Sequence, residues 1–144
     1  MSAIKIYLAD DDGDDRELFI EALSEIPLET TVTEFDNGID LMDDLFSNKP
    51  LPDVIFLDLR MPLMDGFECL SDIRSFNQFS QVKVNVYSSS YHEREVNQLK
   101  EDGANRYLQK PTSFNQLKTL LYKSIRHLEK DDNQGSAAQF VILT

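Results

Sequence analysis

Apolar residues along this chain follow two rhythms that alternate. Ile4-Lys5-Ile6-Tyr7-Leu8-Ala9 is a nearly continuous apolar run of strand length. Leu18, Phe19, Ala22, Leu23 and Ile26 then recur at spacings of one, three and four, the face of a helix. Gly13 and a group of acids lie at its start, where negative charge suits the helix dipole, and Pro27 closes it. Thr30 to Phe35 carries the β-branched residues of a second strand, and Asn37-Gly38 predicts a turn. Leu41, Met42, Leu45 and Phe46 form a second helical face. After the breaks at Pro50 and Pro52, Asp53-Val54-Ile55-Phe56-Leu57-Asp58 is apolar throughout its interior. Such a run suits a central parallel strand covered on both faces.

The alternation continues to the end of the fifth unit. Phe67, Leu70, Ile73 and Phe76 give a third helix stripe, and Val82, Val84 and Val86 a fourth strand. Val96 and Leu99 sit on a short fourth helix that Gly103 can end. Arg106-Tyr107-Leu108 makes a brief fifth strand; Leu117, Leu120, Leu121, Ile125 and Leu128 mark a last helix. Five β–α units in about 130 residues predict an α/β fold, a doubly wound five-stranded parallel sheet with helices on both faces. Residues 1–130 would form this domain and 131–144 a C-terminal tail. The tail has a linker-like stretch, Asp131 to Ala138, followed by apolar Phe140-Val141-Ile142-Leu143. It reads as a segment docked on its own or a neighbouring chain, which also makes a homodimer an expectation.

Composition narrows the function. The 144 residues fit one domain, and 41% hydrophobic residues can fill one core. Lys plus Arg number 14 and Asp plus Glu 26, a net charge of −12. That balance argues against a nucleic-acid backbone or an anionic membrane surface as partner. No apolar run approaches the roughly 18 residues of a membrane span, and no signal peptide is visible. The single cysteine, Cys69, fits a reducing compartment and a cytoplasmic location.

The negative charge is concentrated. Asp10, Asp11, Asp12, Asp14 and Asp15 put five carboxylates in six positions, directly after the first strand. A solvated acidic loop is one reading; a divalent-cation site at a strand end is the sharper one. A strand order of 2-1-3-4-5 would place the ends of strands one, three, four and five on one rim, where ligands of such sheets bind. Asp10, Asp11, Asp58, Ser88 and Lys110 would then converge. Oxygen ligands suit Mg²⁺, and a carboxylate beside a metal and an ammonium can receive a phosphoryl group.

Four segments carry a resemblance: Ile6 to Asp12, Pro52 to Gly66, Val84 to Ser89, and Gly103 to Pro111. In this order and spacing they resemble the receiver domains of two-component response regulators, over about residues 4–130. The resemblance implies a flavodoxin-like receiver fold with Asp58 as phosphoacceptor. It further implies Mg²⁺ held by Asp10, Asp11, Asp58 and the backbone carbonyl of Arg60. Ser88 would be the switch hydroxyl, the Ser89 N–H and Lys110 would bind phosphoryl oxygens, and Tyr107 would be the aromatic switch, outward before activation and inward after. A cis bond between Lys110 and Pro111 is usual in the family. The partners implied are a sensor histidine kinase or histidine phosphotransfer protein and a downstream protein target.

Other residues receive ordinary roles. Asp12, Asp14 and Asp15 are expected to face solvent or cap the helix, His92 and His127 to lie on the surface, and Cys69 to pack in the core. Arg60, two residues past Asp58, is expected to pair with the phosphoryl group or a neighbouring acid and to alter water access. The 14 residues after position 130 leave no room for an output domain, so a stand-alone phosphoacceptor switch, not an enzyme, is the leading reading. A pseudo-receiver scaffold stays open. An aspartyl-phosphate phosphatase would need an acid where Arg60 stands, and a flavodoxin-like electron carrier would need a phosphate loop where the aspartates lie.

Overall fold

The computed structural model describes residues 3–126, 128 and 140–142. Strands β1 (Ile4–Ala9), β2 (Thr30–Phe35), β3 (Val54–Leu57), β4 (Lys83–Ser88) and β5 (Arg106–Gln109) alternate with helices. The helices are α1 (Gly13–Ser24), α2 (Gly38–Leu45), α3 (Gly66–Ser75), α4 (Glu93–Glu101) and α5 (Phe114–Arg126). All the strand pairs are parallel, and the order begins 2-1-3-4-5 as expected.

The sheet has six strands rather than five. Val141–Ile142 forms β6, parallel to β5, with Tyr107 opposite Val141 and Leu108 opposite Ile142. The Tyr107 N–H donates to the Phe140 carbonyl at 2.9 Å. Phe140 and Ile142 are buried within the single chain, so β5 gains a hydrogen-bonded neighbour and the tail an apolar seat. The linker-like stretch 131–138 and His127 lie outside the described residues.

Alternation along the strands divides the core. Ile6, Leu8, Val54, Phe56 and Leu108 face α1 and α5, meeting Phe19, Leu23, Leu117 and Leu121. Tyr7, Ile55, Leu57, Val84 and Val86 face the other way, with Leu41, Leu70, Ile73 and Leu99. Because side chains alternate with a period of two, β1, β3 and β4 must be apolar on both faces.

Several local details differ from the reading of the pattern. Asn37 is no turn residue but the N-cap of α2, its side chain accepting from the Asp40 N–H at 2.8 Å. Leu18, Phe46 and Phe76 sit on the predicted apolar faces yet are exposed. Phe46 and Phe76 stand past the last turns of α2 and α3 and stack edge-on with each other and with buried Phe79. Asp65 starts α3 with a reciprocal capping box to Glu68. Gly103, with φ of +106°, closes α4 as expected. The described residues contain no cis peptide bond, so the Lys110–Pro111 bond is trans, unlike the cis bond that the resemblance implies.

Candidate functional site

Register brings the site together. The Asp10 N–H donates to Phe35 O, the Asp58 N–H to Ala9 O, and the Lys110 N–H to Ser88 O, at 3.0, 2.9 and 2.7 Å. Each bond extends the ladder one step past a strand end and fixes where the next side chain leaves the sheet. Asp10, Asp58 and Ser88 are buried there, whereas Asp11 is exposed at the rim. Gly66 lets the start of α3 lie against this loop: a Cβ there would stand 2.3 Å from the Asp58 carbonyl oxygen.

Lys110 is the internal counter-ion. Its Nζ donates to Asp10 Oδ2 at 2.8 Å, Asp15 Oδ2 at 2.9 Å and Asp58 Oδ2 at 3.3 Å. The ammonium also lies 5.3 Å from the centre of the Tyr87 ring. Burial works against its charge, but the bonds to Asp10 and Asp15 and the charge of Asp58 outweigh that and hold its pKa well above the ordinary lysine range. Burial pushes the Asp58 carboxyl up to about 6; Lys110 opposes the rise and Asp10 adds to it.

The two oxygens of Asp58 have different company. Oδ1 accepts the Leu59 N–H at 2.7 Å, while Oδ2 faces Lys110. Asp10 is likewise divided, with Oδ1 accepting the Asp12 N–H at 2.9 Å. Carboxylate oxygens of Asp10, Asp11 and Asp58 lie within 4.8 Å of one another. Three hard oxygen donors this close suit Mg²⁺, which takes few carboxylates and keeps several waters.

The expected switch residues form a second group beside the first. Ser88 Oγ lies 3.4 Å from Ser90 Oγ and accepts the Ser90 N–H at 3.3 Å. Tyr107 points inward, fully buried, and its hydroxyl donates to the Ser90 carbonyl. The Tyr91 ring meets it edge-on. The outward arrangement expected before activation is therefore not the one this structure holds. Ser89 is exposed just past the strand, its carbonyl accepting from Gln109 at 3.3 Å.

Arg60 pairs with an acid, though one distant in sequence. Its Nη2 lies 3.1 Å from Glu95 on α4, and its guanidinium 5.8 Å from the Phe67 ring centre. Asp12 is the N-cap of α1 and Asp14 is exposed, as expected. Asp15 is different: it touches Lys110 and joins the site. Arg16 was equally invisible; its Nη1 donates to the Asp10 carbonyl at 2.7 Å and its Nε to Glu34 at 3.0 Å. A run of five aspartates offers no sign of which one the helix turns inward, and an arginine in an amphipathic helix reads as surface. Cys69 is buried and its thiol is pushed up to about 12 by burial, consistent with packing. His92 is exposed at the start of α4.

Comparison with known proteins points in one direction. The family model described as response regulator receiver domain matches residues 6–122. A sensor histidine kinase, CheAY of Helicobacter pylori, is 32% identical over 89% of this chain, which spans 16% of that protein's length. The crystal structure of the phosphorylated cyanobacterial phytochrome response regulator RcpA is 30% identical with a TM-score of 0.78, covering 88% of this chain and 93% of that one. The Mn(2+)-bound form of response regulator Rcp1 is 27% identical with a TM-score of 0.75, covering 85% and 91%.

Proposed function

The chain belongs to the response regulator receiver domain family, and on that premise we propose that Asp58 accepts a phosphoryl group with Mg²⁺ bound. The donor is a sensor histidine kinase or histidine phosphotransfer protein, and the phosphorylated domain signals by contact with a downstream protein. The observation that carries this is the division of the Asp58 carboxylate. Oδ1 is tied to the Leu59 N–H, and Oδ2 is aimed at the only ammonium in the site, among the described residues. Oδ2 is thus the attacking oxygen. It forms the bond to phosphorus as the bond from phosphorus to the donor nitrogen breaks.

Asp10, Asp11 and Asp58 would hold Mg²⁺, with the Arg60 carbonyl as a further ligand; the bound ion supplies positive charge to phosphoryl oxygens. Lys110 supplies the second positive charge. Once Oδ2 is part of the acyl phosphate it is a poor acceptor, and the Nζ proton it held is free for a phosphoryl oxygen. The relatives support both parts, since one is described as phosphorylated and the other as Mn(2+)-bound.

Ser88 and Tyr107 carry the signal. The Ser88 hydroxyl is engaged by Ser90, and Tyr107 holds the carbonyl of that same Ser90. A phosphoryl group that draws Ser88 Oγ away removes one of two anchors on Ser90, with the Ser89 N–H adding a contact to the phosphoryl oxygens. The phosphoryl group thereby biases the Ser88–Ser90–Tyr107 arrangement and the surface of α4, β5 and α5 around it. A switch is favoured over a phosphatase because Arg60 stands where the acid–base carboxylate would be, and its side chain is turned to Glu95.

The test is mass spectrometry after incubation with acetyl phosphate and Mg²⁺. One phosphoryl group on the wild type and none on Asp58→Asn is expected. Equal incorporation in both would move the acceptor elsewhere.

A further inference from the structure

Lys110 and a divalent cation claim the same carboxylates. Asp10 and Asp58 belong to the cluster of three that can hold a metal, and both are bonded to the Lys110 ammonium. Two positive centres cannot sit against the same two carboxylates without cost, because like charges at such range repel strongly in a partly buried site. The ammonium must therefore shift as the metal enters. It must also stay close enough to meet a phosphoryl oxygen afterwards.

Asp15 meets this requirement. It is the third acceptor of Lys110, at 2.9 Å, and it is outside the metal cluster. It stands in the first turn of α1, behind the N-cap Asp12, whose carboxylate accepts the Asp15 N–H at 3.2 Å. Its side chain is half-buried rather than free in solvent. We propose that Asp15 is a positioning residue that holds the Lys110 ammonium at the rim while Mg²⁺ takes Asp10 and Asp58. This rests on the function proposed above and adds to it the residue that keeps the two cations apart.

Without Asp15 the ammonium has only Asp10 and Asp58, two of the three carboxylates of the metal cluster. Mg²⁺ affinity should then fall through direct competition. Loss of one negative charge near the site would also weaken binding, so the test must separate the two causes. Asp14 provides the comparison: it lies on the same exposed turn, one residue earlier, and no bond joins it to Lys110.

The experiment is a double-mutant cycle in Mg²⁺ affinity, measured by titration calorimetry on the whole chain without a phosphodonor. Asp15→Asn should weaken Mg²⁺ binding about fivefold, more than Asp14→Asn. In a Lys110→Gln background the effect of Asp15→Asn should shrink to that of Asp14→Asn. NMR of the Lys110 ammonium, protected by its bonds, should show faster proton exchange in Asp15→Asn with backbone spectra otherwise unchanged. Asp15→Ser serves as the second variant and should behave alike. Equal effects of Asp15→Asn with and without Lys110 would overturn the proposal and leave Asp15 as a mere charge. Wild-type protein that binds Mg²⁺ and gains a phosphoryl mass, combined with an additive cycle, would sink this inference alone. Wild-type protein that does neither would remove the functional reading and this inference with it.

Discussion

Replacing Asp58 with Asn should make the metal-free fold more stable, and the gain should depend on pH. Asp58 is 7% exposed and its pKa is raised from an ordinary 3.8 to about 6 by burial, against the pull of Lys110. A folded pKa above the unfolded one means that folding favours the protonated acid. Relative to that state the wild type is unpenalised below about pH 4 and carries the full cost above about pH 6. A difference of about two units is worth about 3 kcal/mol at 1.36 kcal/mol per unit. The pull of Lys110 is already within that figure, and asparagine still offers an oxygen to the Leu59 N–H, but the NH₂ that replaces Oδ2 faces the Lys110 ammonium, donor against donor, and that offsets about 1 kcal/mol. The net gain of about 2 kcal/mol should raise Tm by about 6 °C in a chain of this size. The assay is thermal unfolding by circular dichroism in a chelator, from pH 4 to 8, for both proteins. The Tm difference should be small at pH 4, grow through pH 6 and level off. Adding Mg²⁺ should then stabilise the wild type more than the variant, as the proposed role of Asp58 as a ligand requires. An Asp58→Asn protein no more stable than wild type at pH 7.5, or equally advantaged at pH 4, would refute this reasoning.

Three further substitutions probe the surroundings. Arg60→Ala breaks the exposed pair with Glu95, worth under about 1 kcal/mol, so stability should hardly change. The phosphoryl half-life should shorten about threefold as water gains access, followed by mass spectrometry after donor removal, and an unchanged half-life would count against that role. Gly66→Ala sets a methyl group 2.3 Å from the Asp58 carbonyl and 2.8 Å from Leu59 Cα, both backbone atoms that cannot step aside. Urea denaturation should show a loss of about 3 kcal/mol, whereas an unmoved midpoint would mean the loop is not held there. Phe140→Ala removes a buried side chain from the residue whose carbonyl accepts the Tyr107 N–H. Hydrogen exchange at Tyr107 should quicken about tenfold; unchanged protection would show that the amide does not depend on β6.

What was legible in the chain depended on how local each cause was. The central strand β3 announced itself because a parallel strand covered on both faces needs an unbroken apolar run, Val54-Ile55-Phe56-Leu57, while β2 showed only in its β-branched residues and β5 only as the brief Arg106-Tyr107-Leu108. Asp10, Asp58, Ser88 and Lys110 could be placed together because each ends or follows a strand, and strand order alone then brings them to one rim. Strand β6 could not be seen this way. Two residues make no pattern, and their pairing exists only because the fold leaves an edge of β5 open. Asn85 shows the limit from the other side. The Val84-x-Val86 rhythm suggests an outward polar side chain, yet the strand is covered on both faces and Asn85 is buried with neither amide atom hydrogen-bonded. Asp15 is the sharpest case. Nothing distinguishes it from four neighbouring aspartates except the turn of α1 that aims it at a lysine 95 residues away. The acidic cluster announces a cation. Which acids meet the lysine is decided by tertiary geometry, and the same geometry lets so many carboxylates crowd together: one Lys110 ammonium bridges Asp10, Asp15 and Asp58, and the proposed divalent ion would take its place at two of them.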